Sequence, residues 1–165
     1  MDTPETNAAP HRSRLMEVEE AWIDFNGHLN MAYYNVLFDR GADDLFALFG
    51  FGADYAKTQN HTTYSAEFHV CYLRELHAGD RVYVTSQLLD HDEKRFHFYQ
   101  ELWHEDGWLS ATGEGLGLHI DMSGPRVAPM PPGPREVMAR LQAEHDKLPR
   151  PERAGRRIGI PRKTG

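Results

Sequence analysis

The chain has 165 residues, of which 40% are hydrophobic and 26% are charged, with a formal net charge of -7. This composition predicts a soluble globular protein with one main domain, and its one cysteine, Cys71, excludes an intramolecular disulfide. No apolar run approaches the roughly 20 residues of a membrane-spanning helix, and the start lacks a signal-peptide pattern. We therefore expect a cytoplasmic protein with no membrane partner.

Positive charge is concentrated in the tail 148–165, which carries six arginines and lysines and one acid. The rest of the chain is correspondingly acidic, which argues against nucleic acid as a general partner. Three interpretations of the tail stay open: a solvated segment, docking on the acidic body, or contact with the phosphates of a small ligand.

The first third of the chain predicts a disordered start, a strand and a long helix. Residues 1–13 are polar and contain prolines, so we expect disorder there. Arg14–Phe25 fits a first strand that bends into the next segment. A helix follows, with Asn30 as its N-cap and Gly50 near its end. One face, with a period of about 3.6 residues, carries its apolar side chains: Tyr34, Leu37, Phe38, Leu45, Leu48 and Phe49.

Four further strands are predicted from alternating patterns separated by turn signals. They span Thr62–Leu73, Arg81–Leu89, Arg95–His104 and Trp108–Asp121. Their spacing is that of an antiparallel meander. Gly113, Gly115 and Gly117 in the last strand predict a bulge or a close approach to the helix. Together these elements predict an α+β domain over 14–132, an antiparallel sheet of about five strands wrapped around one long central helix.

The C-terminal part of the sequence changes character after residue 125. Several prolines mark a linker, Arg135–Lys147 predicts a short polar helix, and an extended tail begins at Pro149. We therefore separate 133–165, a C-terminal helix and basic tail, from the main domain.

An unusual set of polar residues precedes the long helix: Asp24, Gly27, His28 and Asn30. The start of a helix offers unpaired backbone N–H groups and the positive end of the helix dipole to a polar ligand. This stretch is therefore the first candidate for chemistry.

The motif reads Asp-x-x-Gly-His-Leu-Asn-x-x-x-Tyr from Asp24 to Tyr34. It resembles the Asp-x-x-Gly-His-Val-Asn-x-x-x-Tyr signature of hotdog-fold acyl-CoA thioesterases of the 4-hydroxybenzoyl-CoA thioesterase type. The resemblance covers residues 16–132, with Leu29 in place of Val and Met31 where a second Asn is common. It implies a hotdog fold, an acyl-CoA substrate, and a homodimer or homotetramer assembled through the sheet.

A fainter resemblance connects residues 24–35 and 155–162 with thioesterases of carnitine breakdown, which act on betainyl-CoA. That resemblance implies a quaternary-ammonium acyl group, for which aromatic rings are the natural receptor. The same aromatics also fit a core or a dimer interface. The candidates for the acyl pocket are Trp22, Tyr33, Tyr64, Trp103 and Trp108.

Thioester hydrolysis needs a base or nucleophile at the carbonyl carbon and a donor at the carbonyl oxygen. We predict that Asp24 is the catalytic carboxylate, either attacking directly or activating water. The resemblance implies that backbone N–H groups near Met31 and Ala32 polarise the oxygen. Gly27 would let the main chain turn tightly between the acid and the helix.

The other motif residues have structural interpretations. His28 suits a hydrogen-bond partner, Asn30 a helix cap, and Tyr34 a core residue whose hydroxyl reaches the turn. Glu67 and His69 are alternative acid–base groups, because residues two apart on a strand face the same side. A solvated strand face explains them equally well.

The phosphates of CoA require cations, and the sequence offers Arg74, Arg95, Arg156 and Arg157 as candidates. We expect neither a cofactor nor a metal, since the histidines match no compact ligand motif. The histidines considered are His61, His69, His77, His91, His97, His104 and His119.

Two alternatives to a thioesterase remain open at this point. One is a dehydratase of the same fold, in which Asp24 and His28 would act together on a hydroxyacyl chain. The other is a non-catalytic module that binds an acyl-CoA or a protein partner.

Overall fold

The computed structural model describes residues 8–163. The helices within that range are α1 (Met31–Leu48), α2 (Ala53–Gln59) and α3 (Pro132–His145), with a short 3-10 helix at Glu20–Trp22. The strands are β1 (His11–Arg12), β2 (Met16–Glu17), β3 (His61–Tyr72), β4 (Arg81–His91), β5 (Arg95–His104), β6 (Leu109–Asp121) and β7 (Arg126–Val127). No helix in the described part of the chain is long and apolar enough to span a membrane.

The long helix α1 begins where the sequence predicts. Asn30 Oδ1 accepts a hydrogen bond from the Ala32 N–H at 2.9 Å, which confirms Asn30 as the N-cap. At its middle, a Cβ built on Gly41 would lie 2.6 Å from the Cβ of Val84 in β4. The glycine therefore lets helix and sheet approach closely. The helix buries one face against the sheet, formed by Tyr34, Leu37, Phe38, Gly41, Ala42 and Leu45.

The sheet is antiparallel and wraps around α1, which confirms the predicted α+β fold. Its strand order is β1-β4-β5-β6-β3, with β2 also paired to β4 and β7 to β6. The prediction of a meander is correct for β4, β5 and β6 and wrong for β3, which pairs with β6. The loop 73–80 explains this. Leu76 is fully buried and its carbonyl accepts from the Leu29 N–H, so the loop is tied to the start of α1 instead of forming a hairpin.

The glycines of β6 make room for aromatic rings. A Cβ on Gly113 would meet Phe68 of β3 at 2.6 Å and Phe38 of α1 at 3.3 Å, so the predicted close approach to the helix is confirmed there. At Gly115 and Gly117 the space is taken by phenylalanine rings of β5 instead. At three successive inward positions of β6, the core rings therefore pack directly against the backbone.

The N-terminal predictions need correction. Disorder is wrong for the end of 1–13, because His11 and Arg12 pair with Ser86 and Thr85 of β4; residues 1–7 lie outside the described residues. The predicted strand Arg14–Phe25 is reduced to β2 and is followed by the 3-10 helix. The strands β1 and β2 both pair with β4 at the edge of the sheet. This pairing orders residues whose sequence has only a weak strand pattern.

The segment 133–165 is joined to the main domain. Met138 of α3 is fully buried in the same core cluster as Leu88 of β4. The Leu88 N–H donates to His145 Nδ1 at 2.8 Å, and Gln142 Nε2 donates to the Leu88 carbonyl at 3.3 Å. The helix α3 therefore shares a core with β4, across the boundary predicted at 132/133.

Residues 149–158 cross the outer face of the sheet, and we call this segment the strap. Gln87 Nε2 donates to the Pro149 carbonyl at 3.3 Å. The Gly155 N–H donates to both carboxylate oxygens of Glu114, at 2.8 and 3.0 Å. Of the three interpretations of the tail, the structure supports docking on the body for this part.

Candidate active site

Asp24 begins a tight turn that leads into α1. Its N–H donates to the His28 carbonyl at 2.9 Å, and its carbonyl accepts from the Gly27 N–H at 3.0 Å. Its Oδ1 accepts from the Asn26 N–H at 2.8 Å. Gly27 has a φ of 78°, a conformation that strains any residue with a Cβ. The turn therefore fixes the Asp24 carboxylate. Of its two oxygens, only Oδ1 has a hydrogen-bond partner among residues 8–163.

The first turn of α1 presents backbone N–H groups next to this turn, as helix starts do. The Ala32 N–H is used by the Asn30 side chain, and the Tyr33 N–H donates to the Asn30 carbonyl at 2.9 Å. Within the described range, the Met31 N–H has no acceptor. Of the two amides that the resemblance implies as oxyanion donors, the structure leaves only that of Met31 open to a ligand.

A cleft of about 330 Å³ opens beside Asp24, bounded by the first turn of α1, the end of β3 and the loop after it. Glu75 brings a second carboxylate into this cleft. The pKa of Glu75 is lowered by its own backbone N–H and then by the nearby charges of His28, His77 and Arg74. Sequence reasoning missed Glu75, because it lies in an irregular loop and belongs to no motif.

His28 and Tyr34 have structural contacts. The His28 ring meets the His77 ring edge-on, with centroids 5.2 Å apart. Tyr34 is buried, and burial raises the pKa of its hydroxyl. Tyr34 packs in the core cluster that also holds Leu76 of the loop 73–80, so it is a core residue, as predicted.

A larger cleft of about 770 Å³ runs along α1 and meets the Asp24 cleft. The two clefts share Met31 and Tyr72. The Tyr72 hydroxyl donates to the Met31 carbonyl at 3.1 Å, so β3 and the first turn of α1 are held together at the junction. A substrate at Asp24 therefore has room to extend along the helix.

The aromatic residues predicted for the acyl pocket do not line this larger cleft. Trp22 and Tyr33 stack with ring centroids 5.8 Å apart beside the start of α1. The Arg40 guanidinium lies 5.1 Å from the Trp22 ring centroid. Trp22 and Tyr33 therefore lie outside both clefts, held by contacts with each other and with Arg40.

Tyr64 and Trp103 lie far apart in the sheet. Tyr64 of β3 is in register with Leu118 of β6, whereas Trp103 of β5 is in register with Leu109 at the other end of β6. At about 3.3 Å per residue, these positions are separated by about 30 Å along the strand. One protomer therefore does not bring the predicted aromatics into one box.

Of the arginines predicted to bind CoA, only Arg74 lines the Asp24 cleft. Its guanidinium lies 3.9 Å from the ring centroid of Trp108, the fifth aromatic candidate. Arg95 is instead bonded to Asp92, with Nε to Oδ2 at 2.7 Å, and this contact lowers the pKa of Asp92 to about 2. Arg95 is therefore engaged at a turn on the opposite end of β5 from Trp103.

Arg156 and Arg157 lie in the strap, beside a cleft of about 660 Å³ on the outer face of the sheet. Glu67 and His69 line that same cleft, and His69 also lines the larger cleft along α1. Neither residue lines the Asp24 cleft, so this alternative acid–base pair is not brought to Asp24. In the described part of the chain, no group of three or more His, Cys, Asp or Glu side chains is arranged to hold a metal ion.

Comparison with known proteins defines the class. Residues 18–141 match the Thioesterase-like superfamily. The chain is 39% identical over 144 residues to a betainyl-CoA thioesterase of Pseudomonas aeruginosa, covering 85% of this chain and 89% of that protein. It is 38% identical over 157 residues to an L-carnitine dehydrogenase/betainyl-CoA thioesterase of Rhizobium meliloti, covering 92% of this chain but only 31% of that longer protein.

A solved structure supports the same assignment. A Staphylococcus aureus protein in complex with CoA superposes with a TM-score of 0.81 at 28% identity, covering 93% of this chain and 97% of that one. The chain therefore belongs to the Thioesterase-like superfamily. It is an acyl-CoA thioesterase, a thioester hydrolase with the hotdog fold, and the dehydratase and binding-module alternatives are not supported.

Proposed function

We propose that this protein hydrolyses betainyl-CoA to betaine and free CoA, with Asp24 as the catalytic carboxylate. The observation that carries the proposal is the position of Asp24, held by a fixed turn in a cleft beside the first turn of α1. The substrate is suggested by the 39% identity to the Pseudomonas aeruginosa betainyl-CoA thioesterase over most of both chains.

The proposed reaction places the thioester carbonyl between Asp24 and the Met31 N–H. Asp24 either takes a proton from a water that attacks the carbonyl carbon, or attacks that carbon itself; the C–S bond then breaks with CoA leaving as the thiolate. In the second case water then hydrolyses the mixed anhydride on Asp24, which releases betaine and restores the carboxylate. The Met31 N–H, at the positive end of the helix dipole, would donate to the carbonyl oxygen as negative charge develops there. A preorganised donor of this kind lowers the barrier without rearrangement during the reaction.

Arg74 is the proposed contact for the phosphates of CoA. It lies on the rim of the Asp24 cleft, and its guanidinium is supported by the Trp108 ring, which leaves its N–H groups free to face an anion. Arg156 and Arg157 are retained as secondary candidates, since they would need the substrate to extend to the outer face of the sheet.

A homodimer or homotetramer is also part of the proposal. The edge strand β3 is 12 residues long and exposes the apolar side chains of Tyr64, Phe68 and Tyr72. A long, apolar edge invites pairing with another chain, and a second copy would continue the sheet. Light scattering coupled to size-exclusion chromatography would test this, and a monomer at micromolar concentration would contradict it.

We also propose a cytoplasmic location, which suits the unpaired Cys71.

The experiment that tests the substrate is free-CoA release, measured with a thiol reagent, from a panel of acyl-CoAs. The panel contains betainyl-CoA, 4-hydroxybenzoyl-CoA, and short-chain and long-chain acyl-CoAs. We expect kcat/KM to be highest for betainyl-CoA. A clear preference for another thioester would overturn the proposed substrate, while leaving the thioesterase class intact.

A further inference from the structure

The larger cleft along α1 has features that thioester cleavage and CoA binding do not explain. Aromatic side chains form much of its wall, with Phe38 and Phe68 edge-on at 5.5 Å and Phe46 and Phe98 edge-on at 5.8 Å between ring centroids. Tyr72 completes this set where the cleft meets Asp24. None of these rings belongs to the aromatic residues that the sequence pointed to.

Asp39 places a carboxylate beside these rings. It lines the cleft, is exposed, and forms no ion pair with Lys or Arg among residues 8–163. Its neighbours on α1 differ, because Arg40 is paired with Glu19 and Asp44 with Arg14. A carboxylate in a cleft walled by aromatic rings favours a cationic ligand, since a carboxylate attracts positive charge and the faces of aromatic rings carry negative potential.

Gln100 adds an acceptor at the same level of the helix. It is fully buried, and its Nε2 donates to the Phe38 carbonyl at 3.2 Å and to Ser86 Oγ at 3.3 Å. Its Oε1 has no hydrogen-bond partner in the described part of the chain. Because this oxygen is inaccessible, it does not contact a ligand; it places a negative partial charge behind the wall of the cleft.

Asp39 lies along α1 from the proposed reaction centre. Eight residues separate Met31 from Asp39, about 12 Å along the helix, and helical side chains lean back towards the N-terminus. The Met31 N–H points out of the N-terminal end of α1, so a thioester that accepts from it must turn its acyl chain back into the cleft. The betainyl group is too short to touch Asp39 from there, so the carboxylate acts on the ammonium as a charge across the cleft.

We infer that this cleft is the receptor for the quaternary ammonium group of the acyl chain, and that Asp39 is the residue that selects its positive charge. The inference rests on the proposed betainyl-CoA function and deepens it by naming the side chains that recognise the charge. The aromatic rings supply the wall, and Asp39 balances the charge.

The test compares betainyl-CoA with 3,3-dimethylbutyryl-CoA, a neutral isostere in which carbon replaces the ammonium nitrogen. The variants are Asp39→Asn and the matched control Asp43→Asn, one turn further along α1 and outside the cleft lining. We expect Asp39→Asn to lower kcat/KM for betainyl-CoA about tenfold or more, through the loss of one nearby charge. Hydrolysis of the neutral isostere should change less than about twofold, and Asp43→Asn should leave both substrates near wild type.

If Asp39→Asn lowers kcat/KM equally for both substrates, or leaves the ratio of the two unchanged, the role of Asp39 is overturned. The proposed function still holds in that case, provided that the wild type hydrolyses betainyl-CoA. Asp39→Glu should restore part of the selectivity, because it restores the charge. A wild type that cleaves the isostere as well as betainyl-CoA would overturn the inference, whereas a wild type that does not cleave betainyl-CoA would overturn the proposed function.

Discussion

The Tyr72 hydroxyl donates a hydrogen bond to the Met31 carbonyl oxygen across 3.1 Å. Tyr72 ends β3, and Met31 begins α1, so this contact fixes the sheet edge to the helix start. The Met31 N–H, the proposed oxyanion donor, belongs to the same residue. The position of the donor relative to Asp24 therefore depends on where β3 ends.

Removing the hydrogen bond between Tyr72 and Met31 tests whether the position of the donor depends on β3. In Tyr72→Phe we expect kcat to fall about fivefold, because small displacements of a positioned donor are costly to rate. The free energy of unfolding should fall by only about 0.5 kcal/mol, since the hydroxyl is partly exposed. Steady-state kinetics and urea unfolding measure both. Tyr64→Phe, on the same strand, is the matched control, and an equal rate loss in it would contradict the role of Tyr72.

Gly27→Ala tests the turn that holds Asp24. A Cβ at Gly27 meets no atom within 4 Å, so the effect isolates the positive φ of 78°. We expect a loss of about 1 kcal/mol in unfolding free energy and a lower kcat, because the turn must relax. Gly124→Ala is the control, with open space and no positive φ. Full activity and stability in Gly27→Ala would show that the turn tolerates another conformation.

Arg74→Gln tests the proposed phosphate contact. We expect KM for the acyl-CoA to rise about tenfold with little change in kcat, since a contact to a remote part of the substrate binds ground state and transition state alike. Arg95→Gln is the control, because Arg95 is already bonded to Asp92. A larger KM effect from Arg95 would move the CoA site to the turn after β4.

The helix α1 and the long strands could be predicted, because each carries its own periodic pattern and caps. The pairing of β3 with β6 could not, since alternation defines a strand but not its neighbour. The helix α2 was missed, because seven residues without a buried side chain leave no apolar face to detect. The strap has no period at all, and it is ordered by contacts such as that between Gly155 and Glu114.

The candidate site could be predicted only at its motif. Asp24, Gly27 and Asn30 are close in sequence, and local geometry decides their arrangement. Glu75 and Asp39 come from a loop and from mid-helix, and only the folded chain shows that they line clefts. The prediction of the aromatic residues rests on residue type alone, which carries no information about which face of the sheet a ring occupies.

Two buried histidines predict a pH dependence of stability. Burial lowers the pKa of His119 and of His145 below their ordinary value of 6.5. The unfolded chain then binds these protons more readily, so the free energy of unfolding falls as pH drops below about 6.5. The slope cannot exceed about 1.4 kcal/mol per pH unit for each group, since each histidine binds at most one proton more in the unfolded chain.

His145→Asn separates this effect from others. Asparagine keeps an acceptor for the Leu88 N–H but does not titrate. Denaturant unfolding between pH 8 and pH 5.5 should show a shallower slope in the variant. Comparing slopes cancels any loss that is the same at all pH values, and an unchanged slope would contradict the role of His145.

Free-CoA release from betainyl-CoA by the wild type, Asp24→Asn and Glu75→Gln tests the assignment of the catalytic carboxylate most directly. Asparagine keeps the shape of Asp24 and removes its charge, so we expect kcat to fall by about 100-fold or more, the scale of a lost catalytic base. Glu75→Gln, the second carboxylate of the same cleft, should stay within about fivefold of the wild type. Near-normal turnover by a folded Asp24→Asn protein would contradict the assignment.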